Sequence, residues 1–337
     1  MHAVNSNFGN QPLLTIAIPT YNRAEFLDLC LTRIGEELEI LREEQRNSVK
    51  IYISNNASTD NTTEIILRHR LNANGEFEVI NNPKNIGGEH NVVQCYTSAQ
   101  TPYVWVLGDD DVILNGGLKK VLDVLSKNNV DLLYLGNYWF QNDYTKSPKI
   151  SVNQGVVVYN SALEFSRHTN IMLTFISGLI VKNEIVPNCY VSMVEGCNLP
   201  QLSWVLPLLR DGKRFAIIHD WVVAAKGGNS GGYGLVKVFG NNLVKITNNI
   251  LKDMPAVARV IQNGTIVNFF PSFILELRKG NSKFSDKDIT EGLKEAFSNN
   301  WRYYVFLVPL ILLPLPIAGY YHLLLKIIRR LFRSVLV

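Results

Sequence analysis

Over the first 135 residues, short runs of strand-forming residues alternate with helical periodicity, and this alternation constrains the chain more than any other feature. Strand-like runs at 13–18, 50–54, 77–81, 103–107 and 131–135 are separated by helical patterns at 24–46, about 58–70, 87–99 and 115–126. Pro19 ends the first run because it has no amide hydrogen to give a ladder. The spacing predicts an α/β fold with a doubly wound, mainly parallel sheet. Such sheets bind ligands beyond the carboxyl ends of their strands. Three polar clusters fall at those ends: Pro19-Thr20-Tyr21-Asn22-Arg23, Asn55-Asn56-Ala57-Ser58-Thr59-Asp60 and Gly108-Asp109-Asp110-Asp111.

Past residue 137 the alternation weakens. A strand is expected at 177–181, a helix at 199–209 despite Pro207, and short strands at 215–218 and 221–225 around His219 and Asp220. A glycine-rich stretch, 227–234, precedes a mostly helical region, 236–299. The expected organisation is a tail (1–12), a globular domain (13–235, in halves 13–135 and 136–235), a helical region (236–300) and a hydrophobic, basic tail (301–337). With 47% hydrophobic residues the chain can build a sizeable core, and a net charge of +4 argues against a general nucleic-acid binder. Cys30, Cys95, Cys189 and Cys197 lack metal-ligand spacing and suit a reducing compartment. The first residues show no basic-then-apolar leader pattern, so the globular part is expected in the cytoplasm.

The three aspartates pose a chemical question, since adjacent like charges must be solvated or paired. Carboxylates at a strand end suit Mg²⁺ or Mn²⁺, which take oxygen ligands from one or two carboxylates and from substrate phosphates. A metal on a diphosphate neutralises the charge of a departing nucleotide. The plainer alternative is an acidic turn capping the next helix, but a cap needs one aspartate, not three.

TIAIPTYNRAEFL, IYISNNASTDNT, NNPKNIGGEHN and YVWVLGDDD, in this order and spacing, resemble glycosyltransferase family 2, nucleotide-sugar transferases of the Rossmann-like GT-A fold. The resemblance covers residues 13–135. ISNNASTD and SGLIVKNE (177–184) are most similar to abequosyltransferase-type O-antigen enzymes. The resemblance implies that Pro19, Thr20, Tyr21 and Arg23 wrap the nucleoside, with Tyr21 beside the base. The alternative for this segment is an ordinary turn capped by Asn22. Asn55 stands where the family usually has Asp; its amide can both donate and accept, which would admit CDP or dTDP as well as UDP. Alternatively Asn55 tightens the turn. Asn56, Asn85, Gly87 and Asn91 are expected along the donor, whereas Asp60 suits a helix start and His90 the surface. Asp109 would meet ribose or sugar and, with Asp111, the metal. Asp110 is grouped with the donor pocket, though its place between them lets it point elsewhere. Lys226, in a loop with Asn229, would balance diphosphate charge, unless that loop is plain connection. The family's Glu-Asp base signature is not plain here; Glu195 is the nearest match, with Asp220 and Glu184 as rivals.

In the tail, residues 303–325 carry no formal charge, but Pro309, Pro314 and Pro316 interrupt them. Beyond Gly319, a face of His322, Lys326, Arg329, Arg330 and Arg333 opposes one of Leu323, Leu324, Ile327, Ile328, Leu331 and Val335. Removing the tail's five basic residues from the chain's 33 leaves 28 against 29 acidic ones, so the basic excess lies there. A basic amphipathic helix suits an anionic membrane surface, as an interfacial or re-entrant anchor on the cytoplasmic face of the plasma membrane. The expected activity is metal-dependent transfer of a sugar from a nucleotide-diphosphate-sugar to a hydroxyl of a lipid-linked glycan acceptor, inverting with a carboxylate base as the resemblance implies. One alternative is a nucleotidyltransferase, which should carry a basic, glycine-rich loop where PTYNR stands. Another is an inactive sugar-nucleotide or membrane-binding module. The sequence does not indicate an oligomeric state.

Overall fold

The computed structural model describes residues 11–72, 76–149, 155–184, 188–228, 233–280, 289–332 and 336–337. Residues 229–232 of the glycine-rich stretch, Asn229 among them, with Arg333 and Val335 of the tail, lie outside the described residues. The chain forms two compact units. One comprises Met1–Asn160, Phe175–Pro187 and Asp211–Gly227; the other comprises Ser161–Thr174, Asn188–Arg210 and Gly228–Val337.

The first unit holds the whole sheet. Its strands are β1 (Leu14–Thr20), β2 (Val49–Asn55), β3 (Glu76–Asn81), β4 (Tyr103–Val106), β5 (Val112–Ile113), β6 (Leu132–Phe140), β7 (Val156–Tyr159), β8 (Leu179–Lys182) and β9 (Phe215–Lys226). They run in the order β3-β2-β1-β4-β8-β6-β9-β5, with β7 on β9. The first four pair in parallel, β8 is antiparallel to both neighbours, and β6 is parallel to β9. β1 and β2 are buried almost throughout, as central parallel strands are. β3 is the exposed edge, where Lys50 pairs with Glu78 at 2.7 Å. Side chains of a strand alternate between faces. Ile16, Ile18, Ile51, Ile53, Trp105 and Leu107 pack with Leu27, Leu31 and Ile34 of α1 (Ala24–Glu39). The helices between strands are α2 (Glu43–Asn47), α3 (Thr62–Leu71), α4 (Gly88–Thr97) and α5 (Gly117–Asn128), the last sharing that core through Leu118, Val121, Leu122 and Leu125.

The expected helix at 24–46 is broken between α1 and α2. The two short strands expected at 215–225 form one strand, β9, whose register with β6 shifts on either side of Gly136. A Cβ at residue 136 would lie 2.2 Å from the Asp220 carbonyl oxygen, so the close approach there requires glycine.

The second unit is helical: α6 (Ala162–Thr169), α7 (Asn188–Val194), α8 (Leu202–Asp211, whose last residue falls in the first unit), α9 (Leu243–Ile250), α10 (Pro255–Gly264), α11 (Phe270–Arg278), α12 (Ile289–Phe297), α13 (Val308–Leu312) and α14 (Leu315–Leu331). The segments 161–174 and 188–210, expected with the sheet, cluster here instead: Asn170 packs so tightly on Gly264 that a Cβ there would lie 2.6 Å away. The tail is not a separate appendage, because Leu307, Leu310, Ala318 and Leu325 share one core with Ile266, Phe270 and Phe297. Pro316 sits in the first turn of α14 and Pro314 at its start, where missing amide hydrogens leave no bond unmade. Pro309 instead follows a π-helical turn, Tyr303–Leu307, and the Val305 carbonyl, four residues before it, accepts from the Tyr321 hydroxyl at 2.8 Å. His322, expected on the basic face, is only 7% exposed and its Nε2 lies 3.4 Å from the Ser272 hydroxyl, because packing buries the Ala318–His322–Leu325 stripe. Burial and the nearby cations Lys326 and Arg329 push its imidazole down to about 4. Among the described residues, no helix is long and apolar enough to cross a membrane.

Candidate active site

The parallel register brings the carboxyl ends of β1, β2 and β4 side by side, with Thr20 opposite Asn55 and Leu107 bonded to the Ala17 carbonyl. The three aspartates follow β4 in a turn. Asp109 is 4% exposed and Asp111 is 6% exposed. The Thr20 hydroxyl donates to Asp109 Oδ2 at 2.8 Å, and one Arg23 nitrogen reaches Asp109 Oδ1 at 3.0 Å and Asp110 Oδ2 at 2.8 Å. Asp110 therefore faces Arg23 beside Asp109 rather than pointing away. Burial pushes the Asp109 carboxyl up to about 6 against the pull of Arg23. Burial and the charge of Asp110 push Asp111 up to about 7.

Asp111 is fixed from segments far away in sequence. The Lys226 amide donates to its Oδ1 at 2.8 Å, and the Ser177 hydroxyl donates to its carboxylate while accepting from the Gly108 amide at 2.9 Å. Gly108 leaves room for this: a Cβ there would lie 3.1 Å from Asp111 Oδ2 and 3.2 Å from Asp110 Oδ1. Ser177 was not among the sequence candidates. Its only signal was its place at the head of SGLIVKNE, just before β8. The Lys226 ammonium turns away from the carboxylates, donating to the Gln141 carbonyl above the Phe140 ring. Lys226 thus enters the site by its backbone.

The asparagines form a structural amide network. Asn55 donates to Asn81 Oδ1 at 3.0 Å and accepts from the Ser58 amide at 3.1 Å, so its bonds are those of the turn-tightening alternative. Asn56, buried, donates to Asn85 and accepts from the Ile86 amide. Asn91, expected along the donor, is buried and exchanges bonds with Ser54 instead. Buried amides need partners, and these supply one another. Together they hold the 82–87 loop and the start of α4, with Gly87 at φ 88°, against the end of β2. Asn22 is not a cap of α1: at φ 51° it accepts from the Thr59 amide, while Asp60 caps α1 through the Ala24 amide and opens α3 through Thr62. Tyr21, 42% exposed, stands free at the β1 end as a nucleoside contact requires.

Two of the base candidates are excluded by position. Asp220 pairs with Lys120 at 2.8 Å in the bulged part of β9, six residues and roughly 15–20 Å along the strand from Lys226. Glu184 follows β8, whose Lys182 is opposite Tyr103 at the start of β4, so it lies at the other edge of the sheet from Asp109. Glu195 is an exposed residue in the turn after α7, in the second unit. Among the described residues, no group of three or more His, Cys, Asp or Glu side chains is disposed to hold a metal by itself.

Comparison with known proteins agrees with this geometry. The family model for glycosyl transferase family 2 matches residues 15–189, a little over half of the chain. Abequosyltransferase RfbV of Salmonella typhimurium is 27% identical over 273 residues, covering 69% of this chain and 80% of RfbV. Among solved structures, S. aureus TarS 1–349 superposes with a TM-score of 0.57 at 14% identity, over 94% of this chain and 91% of that one. The same protein in complex with UDP-GlcNAc gives 0.57 at 15% identity, over 94% and 92%. At these identities the TarS likeness establishes the fold.

Proposed function

The chain belongs to glycosyl transferase family 2 and is a glycosyltransferase, and on that premise we propose that it moves a sugar from a nucleotide-diphosphate donor to a hydroxyl of a lipid-linked glycan in surface-polysaccharide assembly. The observation that carries this reading is the pair of buried carboxylates, Asp109 and Asp111, gathered with Thr20 and Arg23 at the carboxyl edge of the sheet. The likeness to an abequosyltransferase and to a UDP-GlcNAc-binding TarS supports the donor class. Asp111 and Asp109 would hold Mg²⁺ or Mn²⁺. Two carboxylates whose burial opposes their charge fit a divalent cation, and two is the number such a cation takes when phosphates complete its shell. When bound, the cation neutralises the diphosphate leaving group. Arg23, held between Asp109 and Asp110, places a further positive charge there. Tyr21 offers its ring to the base. The acceptor hydroxyl would need a base, a carboxylate role common to such displacements.

The C-terminal helices support membrane association. Exposed Leu312, Ile317, Leu323, Leu324, Ile327 and Leu331 share α13 and α14 with Lys326 and Arg330 and with no acidic residue. Such a surface suits the anionic leaflet in which a lipid-linked acceptor resides, on the cytoplasmic face. The test is a screen of UDP-, dTDP-, CDP- and GDP-sugars with Mn²⁺ and a lipid-linked acceptor extract, scored by nucleotide release. Release from one donor class, lost in Asp111→Ala, is the expected result. Release that persists undiminished in that variant refutes the site.

A further inference from the structure

Among the described residues of the first unit, three large aromatic side chains are more than a third exposed: Tyr21, Phe26 and Trp139. All three lie at the carboxyl edge of the sheet, where the carboxylates are. Tyr21 and Phe26 flank the end of β1, with the Arg23 guanidinium 5.8 Å from the Phe26 ring centre. Trp139 stands apart from them, near the end of β6, on the other side of β4. It is paired with Ala225, one residue before the Lys226 amide that holds Asp111.

At 56% exposed, Trp139 keeps a large apolar ring face open at the edge where the carboxylates lie. Its neighbours on β6, Tyr138 and Phe140, point to the opposite face and are buried with Val112 and Ala224. Trp139 is instead propped by Phe175, with ring centres 5.1 Å apart and planes at 50°. Phe175 lies two residues before Ser177, whose hydroxyl holds Asp111. The platform and the carboxylate thus share one scaffold, the 175–178 turn. Strand β6 lies two positions from β4 in the sheet, which is roughly 10 Å in the hydrogen-bonding direction. That separation is on the scale of a sugar ring and its linkage.

From this placement we propose that Trp139, braced by Phe175, is the acceptor-saccharide subsite, stacking the apolar C–H face of a pyranose ring so that its hydroxyl is presented toward the Asp111 end of β4. The chemistry selects a pyranose because its ring C–H groups form a flat apolar patch that an indole covers, while its hydroxyls remain in water or on polar neighbours. The proposal rests on the glycosyltransferase reading above and adds the position of the acceptor.

The experiment uses the full chain and two ligand sets. Saturation-transfer NMR is recorded with methyl pyranosides of rhamnose, galactose, mannose and glucose, and separately with UDP, CDP, dTDP and GDP in the presence of Mg²⁺. The expected result is transfer to ring C–H protons of at least one pyranoside, abolished in Trp139→Ala and kept in Trp139→Phe, with nucleotide binding retained in both. In turnover with the lipid-linked acceptor extract, Trp139→Ala should raise the acceptor KM on the order of ten-fold, while the donor KM stays constant. Absence of pyranoside transfer in the parent protein, undiminished transfer in Trp139→Ala, or an equal rise in both KM values overturns the subsite. Failure of the glycosyltransferase reading shows differently, as no nucleotide binding and no release from any donor.

Discussion

Replacing Asp111 with asparagine should stabilise the metal-free protein at alkaline pH while removing its turnover. Burial raises the Asp109 carboxyl from 3.8 to about 6 and Asp111 from 3.8 to about 7. A carboxyl whose pKa rises on folding holds its proton more tightly in the native state. Its contribution is therefore fully present below the unfolded value of 3.8 and is lost as pH climbs through 6 to 7. For Asp111 alone, roughly three units at 1.36 kcal/mol each sets an upper bound of about 4 kcal/mol. Asparagine removes the charge and keeps much of the bonding: its carbonyl accepts from the Lys226 amide, and its NH₂ can donate to Ser177 Oγ, which has a second lone pair. Allowing for sharing of the repulsion among the three carboxylates, a gain of about 2 kcal/mol remains at pH 8, or roughly 3–6 °C in Tm. At pH 4 the gain should vanish. The assay is thermal unfolding in EDTA between pH 4 and 8, for both proteins. A Tm for Asp111→Asn that does not exceed that of the parent at pH 8 would refute the claim that a buried, penalised charge sits there.

The remaining predictions concern other parts of the same edge. Arg23→Met should raise the donor KM on the order of ten-fold, because it removes the cation held between Asp109 and Asp110, and steady-state kinetics at fixed acceptor measure this. Asp60→Ala removes the cap on the Ala24 amide and the bonds to Thr62; it should cost about 1 kcal/mol by denaturant titration, with donor KM unchanged. Gly136→Ala should abolish soluble expression or lower Tm steeply, since its Cβ meets the Asp220 carbonyl at 2.2 Å. Leu324→Glu with Ile327→Glu should abolish sedimentation with phosphatidylglycerol vesicles and leave the melting curve unchanged, because both side chains are exposed.

What was legible in the sequence is what short segments decide. The alternation of strands and helices gave the parallel half of the sheet, and the polar strand ends gave Thr20, Arg23 and the three aspartates. Contacts between distant segments were not legible. Ser177 and the Lys226 amide reach Asp111 from positions 66 and 115 residues away, and no local pattern marks either contact. Asp220 read as a possible base, but it stands in the bulged middle of β9 paired with Lys120, a hundred residues earlier. The asparagines looked like ligands because polar residues at a strand end usually are. Their burial is what turns them into one another's partners, and burial depends on the 82–87 loop and the start of α4 folding over β2. In α14 the amphipathic pattern was evident, yet packing chose which stripe to bury and took His322 with it.

The central claim is that Asp109 and Asp111 hold a nucleotide diphosphate through a divalent cation. Isothermal titration of UDP, CDP, dTDP and GDP into the full chain, with Mn²⁺ and then with EDTA, tests it most directly. The account predicts binding of at least one nucleotide diphosphate that requires Mn²⁺ and is lost in Asp111→Ala. Binding of equal strength in EDTA, or in that variant, would contradict it.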